Sequence, residues 1–395
     1  MKKNIFRKKY PVHKKNKFSL HIDGKNYFSE ILEAIKKAKW YIAIEMYLVE
    51  PGEMFNELIA ALVKKADKKV YIFLVFDYYG SRQVYKTIHE NLKHPFIFYK
   101  FFNKISISKL QNNIFRNHRK IFLIDSEIAY TGGTGITDSF FSTTSSKNLW
   151  HEVMIKIEGE CIEDWVDLYF SHFKSRSIRK TQKKTTIKSI LDSPIYTKST
   201  AQLSQTGRVS YSRRFYYKDI LRSTLKQIKL SKKKIYIVTA YFLPTWQFRR
   251  ALKKAARRGV VVTLLLPGAT TDHPSVRQMG RRYYQSLLSS GIQIFEYQPA
   301  FNHSKIFVCD DWVSIGSCNL DRWSLQRNLE ANQEVFDEKF SKTVIKVITS
   351  DLKKSRQINL ENWNYRSLKN RIYEKFWISA MTILESLFSP WRNKK

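Results

Sequence analysis

Two short stretches of this chain carry the same reactive side chains. Residues 117–138 read NHRKIFLIDSEIAYTGGTGITD, and residues 302–321 read NHSKIFVCDDWVSIGSCNLD. His118, Lys120 and Asp125 recur at identical spacing as His303, Lys305 and Asp310. A turn of small residues follows each set, Gly132-Gly133-Thr134-Gly135 in the first and Gly316-Ser317-Cys318-Asn319 in the second. Alternation along a strand puts each histidine and its lysine on one face and the aspartate on the other. The aspartate is therefore placed to brace the fold or a neighbouring loop rather than its own histidine. One His-x-Lys pair would read as a solvated strand end; two at equal spacing do not arise by coincidence.

The chemistry that suits such a set is displacement at a phosphodiester. That group is anionic and repels nucleophiles. It calls for positive charge on its non-bridging oxygens, a nucleophile on one side and an acid for the leaving oxygen on the other. Two lysines and two backbone-rich turns can supply the charge. One imidazole can attack phosphorus and the other can protonate the leaving alkoxide, because imidazole titrates near neutral pH. Each copy gives half a site. The lysines make a metal unnecessary, and no cofactor is expected. Cys161, Cys309 and Cys318 show no CxxC spacing, and the nine histidines form no HxxxH pair, so a structural zinc is not expected. The odd, sparse cysteine count also argues for a reducing compartment.

The elements around the two motifs repeat as well. Residues 28–47 form a helical pattern and a strand ending in Glu45-Met46-Tyr47; residues 216–242 repeat that order and end in Tyr241-Phe242. Each continues into a helix and a near-continuous apolar strand, VYIFLVFD in one copy and VVVTLLLPG in the other, as buried βαβ units do. A further strand, FIFYKFF or IQIFEYQ, then leads to each His-x-Lys pair. The period is that of a duplicated domain, not a solenoid. The expected fold is α/β: two similar sheet-and-helix halves with the site at their interface. The expected organisation is a basic tail (1–17), a first half (18–174), a basic Ser/Thr-rich linker (175–214), a second half (215–359) and an amphipathic basic C-terminal helix (360–395). The linker's basic residues could also line an anionic substrate's approach.

Lysine and arginine number 70 against 34 acidic residues in 395, a net charge of +36. Part of that excess fits a lysine-rich composition, and the rest points to an anionic partner, a membrane with acidic lipids or a nucleic acid. The basic N-terminus lacks the apolar core of a signal peptide. No run of about 18 apolar residues would span a bilayer. FWISAMTILESLFSPW (376–391) has apolar residues at helical spacing between basic flanks, and suits either a packed terminal helix or one lying in a membrane interface.

These motifs resemble the phospholipase D superfamily, whose signature is a duplicated His-x-Lys-x4-Asp followed by small residues. The resemblance runs from about residue 18 to the C-terminus and is closest to the bacterial cardiolipin synthase branch. NLWHEVMIKIEG (148–159), TAYFLP (239–244), Asp272-His273-Pro274, IFEYQPAFNHSK (294–305) and NLDRWSLQRNLEANQEV (319–335) carry the finer match. It implies two α/β sandwich halves sharing one site, and transfer of a phosphatidyl group between lipids through a phosphohistidine. Phosphatidylglycerol would be the donor, and the enzyme would sit on the cytoplasmic face of a bacterial membrane as a peripheral protein. His118 would be the nucleophile and His303 the general acid and base. Lys120 and Lys305 would hold the phosphate, helped by Gly133, Thr134, Ser317 and Asn319. Glu152 and Glu330 would each hydrogen-bond a catalytic histidine. A phospholipase D that uses water as acceptor, or a nuclease of the superfamily, would carry the same motifs.

Two departures stand out. Gly135 stands where the superfamily often has asparagine, which leaves the first cradle with backbone N–H groups or Thr134. The second copy is one residue shorter between Asp310 and Gly316, so Asp311 competes for the motif position unless the hairpin is simply shorter. Glu45 and Tyr241 end equivalent strands, where ligand-binding residues collect in open sheets. Tyr47 and Phe242 read as pocket wall or core. His273 reads as a loop histidine on the rim, and His151 as a residue that helps position Glu152.

Overall fold

A computed structural model describes residues 9–106, 108, 113, 115–143, 149–173, 203–213 and 216–365, with isolated positions at 372, 377 and 379. The segment 376–391 lies almost wholly outside the described residues. Among them, no helix is long and apolar enough to cross a membrane.

The first half contributes strands β1 (His13–Ile22), β2 (Tyr41–Met46), β3 (Tyr71–Asp77), β4 (Ile97–Phe102), β5 (Ile121–Ile124), β6 (Ile128–Gly132) and β7 (Val153–Gly159). The second contributes β8 (Gln205–Arg213), β9 (Tyr217–Lys218), β10 (Lys234–Val238), β11 (Phe242–Leu243), β12 (Val261–Pro267), β13 (Gln293–Tyr297), β14 (Ile306–Cys309), β15 (Trp312–Gly316), β16 (Leu320–Asp321), β17 (Leu329–Phe336) and β18 (Ser355–Ile358). One sheet runs β18-β13-β12-β10-β14-β15-β17-β8-β1-β7-β6-β5-β2-β3-β4. Read outward from its centre, the order in one half repeats that in the other, with β1 matching β8, β5 matching β14 and β2 matching β10.

The repeat follows from residue patterning. Every residue of β2 is buried, as an apolar strand covered on both faces requires. The helix Glu53–Asp67 buries Met54, Phe55, Leu58, Leu62 and Ala66 along one stripe. Helices Gly24–Lys37 and Glu53–Asp67 cover one face of the first half, and Asp219–Leu230 and Trp246–Arg257 the equivalent face of the second. On the opposite face a core common to both halves takes in Trp165 and Phe170 from helix Cys161–Phe173 and Phe340, Val344 and Ile348 from helix Glu338–Lys353. Each fully buried side chain of this size contributes roughly 1.5–3 kcal/mol of transfer free energy.

Two boundaries differ from expectation. Most of the supposed basic tail that is described belongs to β1, and the end of the supposed linker is β8. These two strands form the seam between the halves, pairing at His13–Gly207 and Asn16–Gln205 around an irregularity. Their polar composition conceals them. Arg208 in β8 is buried because its guanidinium grips Glu334 at 2.9 Å through two nitrogens and Asp219 at 3.0 Å. Asn16 is buried because its side chain bonds His13 and Gln205 carbonyls and accepts from Cys161 N–H at 2.8 Å. Paired polar groups can be buried without the apolar run that announces a central strand.

Candidate functional site

The two His-x-Lys pairs lie just before β5 and β14, which six strands of the sheet separate. Asn117 opens the first motif and Asn302 the second. Each asparagine side-chain oxygen accepts from the backbone N–H two residues on, Arg119 at 3.4 Å and Ser304 at 3.1 Å. This local turn fixes the start of each motif. The paired Asn-His was visible in the sequence and passed over.

Each motif then docks on the other half. His118 N donates to Leu329 O at 2.9 Å and Leu329 N to Arg116 O at 3.0 Å; His151 N donates to Phe301 O at 2.9 Å and His303 N to His151 O at 2.8 Å. The residue after each docking position, Leu329 and His151, is a glutamate, and the pairing is therefore crossed. His118 Nδ1 meets Glu330 Oε2 at 3.1 Å, and His303 Nδ1 meets Glu152 Oε2 at 2.9 Å. A ring that donates Nδ1–H to a carboxylate keeps its lone pair on Nε2. Both imidazoles, with Lys120, Gly133 and Thr134, line one cavity of about 210 Å³.

Burial sets the electrostatics. His303 is packed among the rings of Phe140, Trp150 and Phe301, at 5.3–5.5 Å between centroids. Desolvation first, and then Lys305, Lys120 and His118, hold its pKa well below the usual histidine range. His118 is lowered too, chiefly by burial, with Glu330 opposing. Lys120 Nζ donates to His118 O at 2.8 Å, and Lys305 Nζ to His303 O. Burial pushes Lys120 down to about 7 and Lys305 down to about 8. Glu152, also buried and 3.9 Å from Lys305, rises to about 7. An anion entering this cavity would find cations that water does not screen.

The remaining expected residues divide. Asp125 and Asp310 sit at the far ends of β5 and β14, away from the cavity. Asp125 accepts from the N–H groups of Lys39, Trp40 and Tyr41 at 2.6–2.8 Å, and Asp310 from those of Lys232, Lys233 and Lys234 at 2.8–3.0 Å. They brace the turns that feed β2 and β10 and lie away from the two histidines. Asp310 fills the motif position rather than Asp311. The hairpin pairs Cys309 with Trp312 where the first copy pairs Ile124 with Ile128, one residue shorter.

Ser317 is not free for a phosphate: its hydroxyl donates to Glu330 Oε2 at 2.5 Å and accepts from Ala331 N at 3.1 Å, which fixes the glutamate. Thr134 is tied to Tyr27 at 2.8 Å and to Gly135 O at 2.9 Å. Asn319 accepts from Thr239 at 3.3 Å, and its buried amide nitrogen has no partner among the described residues, so it remains a donor for an anion. At Gly135 a Cβ would come 3.1 Å from Leu48, which occupies the space an asparagine would need.

Glu45 does not reach the cavity. It is wholly buried beneath it, accepting from Asn117 Nδ2 at 2.6 Å and meeting His172 at 2.7 Å. Tyr47 and Tyr241 form the walls instead, while Phe242 is core. Tyr241 donates to Asp272 Oδ2 at 2.5 Å, and Asp272 and His273 sit on the rim. His151 does more than steady Glu152: it lies between Asp23 at 2.7 Å and Asp351 at 3.0 Å, and those two contacts outweigh burial and raise it to about 10. Trp150 and Phe140, which wall His303, had no signal beyond being aromatic.

A family profile described as "Cardiolipin synthase, PLD-like domain" matches residues 31–174 and again residues 224–352. A cardiolipin synthase of Clostridium perfringens (strain 13 / Type A) is 30% identical over 362 residues, 91% of this chain and 75% of that protein. The minor cardiolipin synthase ClsB of Bacillus subtilis (strain 168) is 28% identical over 371 residues, 91% of this chain and 88% of its own length. Among solved structures, phosphatidylserine synthase of Haemophilus influenzae superposes with a TM-score of 0.72 over 96% of this chain and 95% of its own, at 12% identity, a likeness of fold. Two matched halves that share one crossed site, and relatives aligned along nearly the whole chain, lead to one assignment: the chain belongs to the cardiolipin synthase family of the phospholipase D superfamily and is a phosphatidyltransferase.

Proposed function

We propose that the enzyme joins phospholipids by transphosphatidylation, with phosphatidylglycerol as donor and cardiolipin as product, at the cytoplasmic face of a bacterial membrane. The observation that carries this reading is the convergence of two Nδ1-anchored imidazoles and the buried Lys120 on one cavity, with the buried Lys305 beside Gly133 on its lining. The Nε2 lone pair of His118 attacks phosphorus while the bond to the glycerol oxygen breaks. His303, protonated once the phosphate's negative charge offsets the two lysines, gives its Nε2 proton to that oxygen and glycerol departs. Neutral His303 then takes the proton of a second lipid's hydroxyl. The new oxygen attacks phosphorus, the phosphorus–nitrogen bond breaks, and His118 is regenerated. Lys120, Lys305 and the free amide of Asn319 hold the non-bridging oxygens throughout.

The test is incubation with labelled phosphatidylglycerol in vesicles. Cardiolipin and free glycerol should form, and both should disappear in His118→Ala. Phosphatidic acid as the sole lipid product would make the enzyme a hydrolase. Cleavage of oligonucleotides with no lipid product would refute the proposal.

A further inference from the structure

A second cleft, of about 590 Å³, opens on the second half of the molecule. Its lining includes lysine and arginine side chains and, among the described residues, no aspartate or glutamate. Helix Asp219–Leu230 supplies the exposed Arg222 and the half-buried Leu225. Leu243, Trp246 and Arg249 come from the segment after Tyr241, and Met279, Arg282 and Tyr283 from the end of helix Pro274–Arg281 and just beyond.

The rings and cations are assembled together. Trp246 is 60% exposed, and the Arg250 guanidinium lies 5.0 Å from its ring centre. Arg249 and Arg282 stand 4.3 and 4.6 Å from the Tyr283 ring. Leu225, Leu243 and Met279 give the cleft apolar walls. An exposed indole has an apolar body and a polar edge, which suits the boundary between headgroups and acyl chains. Guanidinium forks match phosphate oxygens in pairs. The apolar walls beside these cations suit acyl chains, which favours lipid over nucleic acid.

The cleft adjoins the reacting cavity. Tyr241 walls that cavity and Leu243 walls this cleft, a separation of two extended residues or about 7 Å along the chain. Asp272 and His273 rim one, and the helix that follows them leads to Met279 and Arg282 in the other.

We propose that this cleft binds the headgroup phosphate of an anionic phospholipid that remains in the bilayer, and so holds the mouth of the reacting cavity against the lipid surface. The inference rests on the lipid reading of the substrate, but its test reads binding alone and stands or falls without turnover.

The experiment is sedimentation of the full chain with phosphatidylcholine vesicles, with and without phosphatidylglycerol, for wild type, Arg222→Gln/Arg282→Gln and Trp246→Ser. A charge-matched control, Lys64→Gln/Lys68→Gln, removes two exposed lysines from the first half. Each arginine near an anionic surface is worth about fivefold in affinity, so the double variant should need roughly 30-fold more anionic lipid for half-binding. The control should shift by about twofold at most, Trp246→Ser should weaken binding to anionic vesicles, and plain phosphatidylcholine should bind none of them well. An unchanged thermal midpoint accompanies each variant, since the changed side chains are exposed. Wild-type binding by the double variant, an equal loss in the control, or release from vesicles by millimolar inorganic phosphate would overturn the proposal. Loss of oligonucleotide binding in place of vesicle binding would do the same.

Discussion

Replacing Glu330 by glutamine tests the crossed pairing most directly. The side chain keeps its shape and one acceptor oxygen, which Ser317 reaches at 2.5 Å in Glu330, but loses the charge facing His118 Nδ1 at 3.1 Å. A hydrogen bond to a charged group is worth about 1.5–3 kcal/mol, which at 1.4 kcal/mol per decade gives roughly a 10- to 150-fold fall in rate. The smaller end is expected, because the Ser317 carbonyl also faces Nδ1 at 3.2 Å and would keep the tautomer. Glu152→Gln should cost more. Glu152 serves both His303 and Lys305, and its negative charge opposes the burial that depresses the Lys305 ammonium. The assay is the initial rate of glycerol release from phosphatidylglycerol in mixed micelles, with kcat and KM resolved. Both variants should lose kcat, and only Glu152→Gln should also raise KM, by weakening the cation that holds phosphate. Wild-type kcat in Glu330→Gln, or a change in KM alone, would show that the carboxylate does not act through the opposite histidine.

Four further outcomes follow from the geometry. Asp125→Ala strips three N–H groups of a buried acceptor and should destabilise the fold by about 2–4 kcal/mol in urea unfolding, with kcat of the folded fraction retained. Asp310→Ala should cost less, since the Lys232 and Lys233 N–H groups it leaves are at the surface. Gly133→Ala would put a methyl 2.2 Å from Glu152 Oε2 and 2.8 Å from Lys305 Nζ, so it should lower activity about as much as Glu152→Gln, measured in the same assay. Because burial depresses both lysines, to about 7 and 8, they are cationic below those values and neutral above. Affinity for an anionic substrate should therefore fall as pH rises from 7 to 9, seen as a declining kcat/KM, and substrate binding should take up protons in calorimetry with buffers of different ionisation heat.

The motifs and the repeated βαβ units were readable because both rest on local period and fixed spacing. His118, Lys120, His303 and Lys305 lie immediately before the two equivalent strands β5 and β14. The seam was not readable. β1 and β8 carry Asn16, Arg208, Ser210 and Ser212 in the interior, and their burial depends on partners distant in sequence, such as Glu334 and Cys161 N–H. Ser317 looked like a phosphate ligand because it stands in the turn after the motif. Only the fold shows its hydroxyl turned to Glu330. Glu45, like Tyr241, was expected at a ligand-bearing strand end, yet alternation along β2 turns it beneath the cavity towards Asn117. Glu152 and Glu330 could be picked out as partners, but which histidine each serves is a property of docking between halves.

That crossing has a consequence for how the molecule can vary. If two identical copies formed this site, one residue would have to serve both equivalent positions, and a change that suited one role would be forced on the other. Covalent fusion removes that constraint. Gly135 yields its space to Leu48 while its counterpart Asn319 keeps a free donor, and His303 sits in a ring-lined pocket while His118 touches Tyr47. The two lobes are thus free to diverge, while neither can orient its own histidine without the other.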